Sequence, residues 1–540
     1  MGARAAVRAV AEGPDLSAGT LPALLAGAAA RFGAREALVA AGARWTYADL
    51  AARSAEVGRA LLARGVGKGA RVGVLMPNSP EWLAVAFGAW SCGAVVVPIS
   101  TLYRPRELAH ALTLADVTHL VAVRRFLKHD YVRLLDEVAP GIGAPPIRHP
   151  ALPALREVVW LGGDGAVDLA PLLVPGAGVG AEWPALLAAT VSPTDPATIA
   201  FTSGSTADPK GVVHTHAALA AAAEDVAATL GLDADDRTWG YLPFFFTGGL
   251  VAVGLATLTR GGAVVLQETF DAGETLRLLD GERVTVFFAW PHQAEALIAH
   301  PAFVSTTLRL RKGVGANTRW AATLYPPDHH AVGTFGMTET APLCTAWPWD
   351  ASLALRAGSH GPPTGGKEIR IVDPESGAPL PAGSEGELCV RGPTLFSHYV
   401  RHARAECVDA EGFFHTGDLG RVDERGALHF IGRLKDVIKS GGANVAAAEV
   451  EAVLREHSAV GAAHVVGVPD PTRGESVAAF VVLAHDVPVD ELLAHCRARL
   501  ASYQVPRRVW VRTDAELPLK GSGKVDKARL RDEAVRLGMR

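Results

Sequence analysis

Between residues 45 and 125 the apolar residues switch repeatedly between strand-like and helix-like spacing, and this alternation narrows the fold more than any other feature. Arg71–Met76 reads as a strand, Glu81–Ser91 as a helix and Ala94–Ile99 as a buried strand. Arg104–Leu114 reads as a helix and Thr118–Val123 as a strand again. Strands separated by helices can be sheet neighbours only through crossovers, so the pattern requires parallel sheets with helices on their faces. Thr46 and Asp49 form a capping-box variant ahead of an amphipathic run (Leu50, Ser54, Val57, Leu61), which Gly65 stops.

The 540 residues suffice for more than one domain, and 49% hydrophobic with 20% charged residues is a globular composition. A net charge of −4 argues against bulk nucleic-acid binding, which needs a basic face. The five cysteines are scattered and lack metal-like spacing, which fits a reducing, cytoplasmic setting without disulfides. His214 and His216 have no ligand-spaced companions and read as loop or helix-start residues, and His329-His330 as surface. Near the N-terminus, glycine and proline interrupt the apolar residues and Glu12 and Asp15 follow soon, so no signal peptide is expected. Thr238–Thr259 carries no charge and invites comparison with a membrane span. Pro243, Gly248, Gly249 and Gly254 favour instead a buried strand–turn–helix lining a pocket. Residues 139–185 read as irregular loops, 361–432 as short strands of a small barrel or distorted sheet, and 436–540 as a compact α+β region.

The chemistry concentrates in Phe201-Thr-Ser-Gly-Ser-Thr-Ala-Asp-Pro-Lys-Gly211. Backbone N–H groups, the hydroxyls of Thr202, Ser203, Ser205 and Thr206, and the Lys210 ammonium can surround phosphate oxygens, and Gly204 permits close approach. The spacing is not the Walker pattern. An ordinary polar turn is the lesser alternative, because short motifs also arise by chance.

This loop resembles the phosphate loop of the adenylate-forming superfamily, which includes acyl-CoA synthetases, peptide-synthetase adenylation domains and luciferases. Phe335-Gly-Met-Thr-Glu-Thr340, His415-Thr-Gly-Asp418, Gly432-Arg-Leu-Lys-Asp436, Lys439-Ser-Gly-Gly442 and Pro518–Lys524 resemble its further motifs, in order, over roughly residues 20–535. The resemblance implies a mixed α/β fold: a large N-terminal domain (1–433) of two stacked, helix-flanked sheets and a small β-barrel, then a small mobile α+β domain (434–540). It implies ATP, Mg²⁺ and coenzyme A as co-substrates and cofactor, and an acyl-adenylate intermediate, with pyrophosphate leaving as the adenylate forms and AMP leaving as the thiol takes the acyl group.

It also implies roles. Thr202, Ser203, Gly204, Ser205, Thr206 and Lys210 would hold phosphates. Glu339 with Thr206 would bind Mg²⁺, and Thr338 the α-phosphate. Gly315, Ala316 and Asn317 would face adenine, with Phe335 stacked on it. Asp418 would accept from the ribose hydroxyls beside Arg433. Lys524 would be the adenylation cation and Lys435 the hinge. Lys439, Gly441 and Gly442 would line the tunnel for the CoA arm, and Phe245, Phe246, Gly248, Trp290 and Gly336 the acid pocket. The pocket's apolar, aromatic character favours a medium- or long-chain fatty acid or an aryl acid. Phe244-Phe-Phe-Thr247 lacks the aspartate that would pair an amino acid's ammonium.

Some positions depart from the family pattern. Ala207 stands where glycine is usual, at a cost of about 1 kcal/mol if the position needs positive φ. Ala443, Ala446 and Ala447 replace commoner tunnel residues, and Phe246 a common histidine. Two alternatives remain at this stage: an adenylation enzyme loading a carrier protein, and a non-catalytic binding protein on the same scaffold. No nucleic acid and no membrane span are expected as partners, and a homodimer is compatible with the sequence.

Overall fold

The computed structural model describes residues 19–143, 145–162, 167–202, 209–440, 443–520 and 524–538. The chain divides into two compact units: Met1–Glu368 with Arg391–Ala410, and Ile369–Val390 with Glu411–Arg540.

The first unit contains the expected alternation. Strands Arg71–Leu75, Val95–Pro98 and His119–Val123 run parallel, with helices Pro80–Ser91 and Pro105–Leu114 between them in the chain. Helix Tyr47–Ala63 starts at the reciprocal Thr46/Asp49 capping box and buries Leu50, Ser54, Val57 and Leu61. Ser79 caps helix Pro80–Ser91 by accepting from the Trp82 amide, with Pro80 at the position where a missing N–H is harmless. Its Trp82, Phe87 and Trp90 are fully buried, each contributing on the order of 1.5–3 kcal/mol, and the Trp90 indole satisfies its N–H on the Ala197 carbonyl at 2.8 Å.

These strands belong to a seven-stranded sheet, in the order His398–Tyr399, Lys210–Thr215, Pro196–Thr202, Val95–Pro98, Arg71–Leu75, His119–Val123, Glu157–Leu161. The last strand corrects the reading of 139–185 as loop throughout. Glu157-Val-Val-Trp-Leu161 is a good strand sequence that its Pro/Gly-rich flanks concealed. The six-stranded sheet runs Lys312–Gly313, Val286–Phe287, Arg237–Gly240, Ala263–Leu266, Glu36–Ala40, Ala43–Thr46, all parallel except the terminal hairpin. Thr238–Thr259 is the buried strand–turn–helix expected. Its helix begins in π geometry at Gly248–Leu255 and becomes α over Ala256–Thr259. Among the described residues no helix is long and apolar enough to cross a membrane.

In the second unit the short strands Glu368–Val372, Gly386–Arg391, Phe414–Val422 and Leu428–Arg433 form a four-stranded sheet, in that order, whose pairing is broken by bulges. It takes the distorted-sheet form rather than showing barrel closure among the described residues. A separate five-stranded sheet (Ala443–Ala446, Val437–Ser440, Gly474–Leu483, Val460–Asp470, with Arg508–Arg512 on Gly474–Leu483) packs with helices Ala447–Arg455, Val489–Arg497 and Lys527–Leu537.

Candidate active site

Ser203, Gly204, Ser205, Thr206 and Ala207 lie outside the described residues; what the structure gives is their frame. Strands Pro196–Thr202 and Lys210–Thr215 form an antiparallel hairpin in which Thr202 faces Lys210, so the two ends of the loop are fixed. Strand His398–Tyr399 pairs on the other side, with Val212 opposite Tyr399. The Lys210 ammonium lies 4.8 Å from the centre of the Tyr399 ring, a cation–π distance. The Tyr399 hydroxyl donates to Glu339 Oε1 at 2.8 Å. One tyrosine thus ties a cation from the hairpin to the carboxylate of the 335–340 motif. The His214 imidazole, fully buried, bonds the Thr338 carbonyl through Nε2 at 2.9 Å. Desolvation pulls its pKa down to about 4, so it is neutral and holds Thr338 through the Nε2–H tautomer. His216, at the start of helix His216–Leu230, is buried and is likewise held at about 4 by desolvation. His216 is at a helix start, as expected; His214 lies instead within strand Lys210–Thr215, in neither a loop nor a helix start. His329 is not at the surface: it is buried, with its ring stacked on Tyr325.

Open parallel sheets bind ligands beyond the carboxyl ends of their strands. In the six-stranded sheet those ends lead into 241–249, 288–292 and 314–317, so Phe245, Phe246, Gly248, Trp290, Gly315, Ala316 and Asn317 gather at one edge. Phe245 and Phe246 meet edge to face at 4.6 Å, Phe246 meets Trp290 at 6.4 Å, and His292 stacks on Trp290 at 5.9 Å. Phe244 and Phe287, by contrast, are core residues: Phe244 packs on Trp82 and Phe287 stacks on Trp239. Gly315 has φ +91°, and a side chain there would strike the Trp320 ring. The Gly315 and Ala316 amides bond the Val332 carbonyl, and three residues further on Phe335 sits in the short strand Thr334–Phe335. At Gly336 a Cβ would meet the Pro342 carbonyl oxygen, so the motif's turn requires glycine.

The sequence reading missed Asn78. Its buried amide donates to the carbonyls of Gly240 at 3.0 Å and Leu242 at 2.8 Å, and accepts from the Phe244 amide at 2.8 Å. It fixes the turn that carries Phe245 and Phe246. Lying between Pro77 and the helix cap Ser79, it looks like an ordinary turn residue. Tyr399 was missed as well, since nothing local marks it.

The second unit carries the remaining candidates. Asp418 is 1% exposed and ion-paired with Arg433, its opposite number on the neighbouring strand, at 2.7 Å. Gly417, at φ +69°, makes the turn before it. Lys435 is exposed as a whole, yet desolvation lowers its ammonium pKa. Lys439 is exposed, its backbone amide bonded to Glu475; Gly441 and Gly442 lie outside the described residues. Lys524 closes a tight hairpin: the Lys520 amide bonds the Lys524 carbonyl at 2.8 Å and Leu519 pairs with Val525. Residue 524 is exposed as a whole, yet its ammonium pKa is lowered, by desolvation first and then by the like charges of Arg433 and Lys520.

A cleft of about 730 Å³ opens at the opposite, amino-terminal end of the six-stranded sheet, lined by Arg44, Arg237, Arg283, Arg309 and Arg311 with Glu36 and Glu282. Arg237 and Arg44 both pair with Glu36 at 2.8 Å, and both also pair with Glu282. Much of the charge is therefore internally balanced, and the cleft is remote from the candidate residues of that sheet.

A model of the AMP-binding enzyme family matches residues 25–400, and one of the AMP-binding enzyme C-terminal domain matches 449–524. Feruloyl-CoA synthase of an Amycolatopsis sp is 35% identical over 498 residues, 91% of this chain and 94% of its own. The anthranilate CoA ligase AuaEII in complex with anthranoyl-AMP superposes with a TM-score of 0.80 at 26% identity, covering 95% of this chain and 97% of its own. ATP-bound MatB from Rhodopseudomonas palustris gives 0.80 at 28%, covering 94% and 98%. Fold and site together define an adenylate-forming ligase. The chain belongs to the AMP-binding enzyme family, and within it to the acid–thiol ligases.

Proposed function

We propose that the chain converts an apolar carboxylic acid, an aryl acid or a medium- or long-chain fatty acid, to its CoA thioester through an acyl-adenylate. A carboxylate is a poor acyl donor because its carbonyl is electron-rich and oxide is a bad leaving group. In the first step a carboxylate oxygen attacks the α-phosphorus of ATP and pyrophosphate leaves. In the second the CoA thiol attacks the acyl carbon, loses its proton, and AMP leaves. The first step needs positioning and charge neutralisation more than covalent participation.

The observation that carries this reading is the linkage Lys210–Tyr399–Glu339, with Thr338 held by the neutral His214. It sets a cation, a carboxylate and a positioned backbone beside the ends of a Ser/Thr/Gly loop. Glu339 supplies the hard oxygen that Mg²⁺ prefers, with Thr206 as its companion; bound there, the ion would neutralise phosphate charge. In this reading Ser203–Thr206 and Lys210 hold the β- and γ-phosphates with the Thr202 hydroxyl nearby, Thr338 the α-phosphate, and Gly315–Asn317 with Phe335 the adenine. Asp418 and Arg433 take the ribose and Lys524 the reacting oxygens, with Lys435 as the hinge. Lys439, Gly441 and Gly442 admit the CoA arm. The aromatic edges of Phe245, Phe246 and Trp290 favour a planar or apolar acyl group. The relatives named for feruloyl and anthranoyl groups support the aryl alternative.

Pyrophosphate release over a panel of acids, with and without CoA, tests this. Aryl or longer acyl acids should exceed acetate in kcat/KM by tenfold or more, as expected for several buried methylenes or a ring. Absence of ATP–pyrophosphate exchange with every acid tried would remove the proposal. Transfer to a phosphopantetheinylated carrier but not to CoA would replace the acceptor.

A further inference from the structure

We propose that Glu387, Cys389 and His415 form a binding site for a divalent transition-metal ion of the zinc class. The site lies within the four-stranded sheet of the second unit and is separate from the residues assigned to phosphate and Mg²⁺. Glu387 and Cys389 alternate along strand Gly386–Arg391 and so share a face, and His415 lies directly across from Cys389 on strand Phe414–Val422. One ligand atom from each of the three lies within 4.8 Å of the other two. The cysteines' sequence spacing gave no hint of this, because the set is assembled across strands.

Three details point to a cation rather than to a plain hydrogen-bonded cluster. First, Glu387 Oε2 at 2.8 Å and Cys389 Sγ at 3.4 Å approach the same ring nitrogen, His415 Nδ1. A single Nδ1–H cannot serve two acceptors at full strength, whereas an ion at their common point is served by all three. The arrangement is also no nucleophile relay, which would use both ring nitrogens. Second, the carboxylate is already oriented: Glu387 Oε1 accepts from the Gly417 amide at 3.0 Å, leaving Oε2 aimed at the cluster. Metal-ligating carboxylates are commonly held in this way from behind. Third, the burial is graded. Cys389 is buried, while His415 keeps 41% of its side chain exposed, so the set is open on one side to solvent. Three protein ligands with an open fourth position is the arrangement of zinc sites that keep a water.

The donor set selects the metal class. Thiolate, imidazole and carboxylate together suit Zn²⁺ or its borderline neighbours, whereas Mg²⁺ and Ca²⁺ prefer oxygen alone. Ligand atoms on a tetrahedral sphere of about 2.0–2.3 Å stand roughly 3.3–3.6 Å apart, so the Nδ1–Oε2 separation must open by about half an ångström. Binding releases the thiol proton to water and leaves the imidazole neutral. The opposed strands are out of step here: two steps from Glu387 to Cys389 face four from Leu419 to His415, so Thr416, Gly417 and Asp418 form the bulge. An ion held by Glu387 and His415 would therefore stiffen the turn that presents Asp418.

Titration of the full chain with Co²⁺, followed by thiolate-to-cobalt absorption in the near ultraviolet, tests the site. The expected result is saturation at one equivalent and full displacement by Zn²⁺. The band should be lost in Cys389→Ala, retained in Cys407→Ser, and require more than about tenfold higher Co²⁺ in Glu387→Gln. No band at one equivalent, a band that survives Cys389→Ala, or failure of Zn²⁺ to displace Co²⁺ would overturn the assignment. Should Cys389→Ala not fold, unchanged affinity in Glu387→Gln would overturn it equally.

Discussion

Two neutral imidazoles, one in strand Lys210–Thr215 and one at the start of the helix after it, give the fold a pH dependence that can be read residue by residue. His214 and His216 are buried and titrate near 4 in the folded chain, against an ordinary value of 6.5. For His214 the cause is desolvation, opposed by its bond to the Thr338 carbonyl; for His216 it is desolvation, with Asp195 raising and Lys68 lowering the value. Between pH 6.5 and 4 the unfolded chain therefore binds more protons at these sites than the folded one. Stability is fully present above 6.5 and is lost as pH falls through that window, by at most about 2.7 kcal/mol per pH unit when both count. His214→Gln, whose amide can still donate to Thr338, should reduce that slope by up to about 1.4 kcal/mol per pH unit. Urea midpoints at a series of pH values measure it. Parallel curves for the two proteins would mean that His214 is not held neutral. At this scale the sequence revealed least where contacts span long distances: Tyr399 meets Glu339 across 60 residues and Asn78 meets Gly240 across 162. No local spacing encodes either pair. Gly315, Gly336 and Gly417 were marked only by their place in the resembling motifs; the structure adds the reason, since each stands where the backbone admits no side chain or turns with positive φ.

At the scale of elements, period made the fold readable. The strands and helices of 45–125 and the capping box at Thr46 follow from apolar spacing and caps. Period fails where every side is buried. Gly248–Leu255 is apolar throughout, so its sequence carries no phase, and its π geometry could not be foreseen. The turn that leads into it depends instead on Asn78. Asn78→Ala would leave two carbonyls and one amide without that partner in a buried place, at about 1–3 kcal/mol for each group left unsatisfied. The variant should lose at least about 2 kcal/mol in denaturant unfolding. It should raise KM for the acid more than KM for ATP, because the turn carries Phe245 and Phe246. An equal rise in both would place the effect on the whole unit rather than on the pocket.

Over the whole molecule, two reactions on one chain make opposite demands. Attack of the carboxylate on the α-phosphorus needs a cation at the reacting oxygens, while attack of the thiol on the acyl carbon needs that space clear. Lys524 suits a temporary role. It sits on a hairpin braced by the Pro518–Asp526 backbone bond at 2.7 Å and followed by helix Lys527–Leu537, which Asp526 caps. Its charge is disfavoured at rest, first by desolvation and then by Arg433 and Lys520, so it gains most when an anion arrives. Lys524→Ala should cut acyl-adenylate formation by on the order of 10²–10³, the cost of losing one preorganised charge partner at a transition state. Thioester formation from supplied acyl-adenylate and CoA should stay within a few-fold of the parent. If Gly442 lines the proposed path of the thiol arm, Gly442→Phe should do the reverse, sparing adenylate formation and blocking transfer, since a passage for a slender arm has no room for a ring. Single-turnover measurements of each half-reaction separate the two variants. Equal loss of both half-reactions in Lys524→Ala would mean that the lysine serves binding of the nucleotide in general. Normal CoA turnover in Gly442→Phe would move the thiol's path elsewhere on the chain.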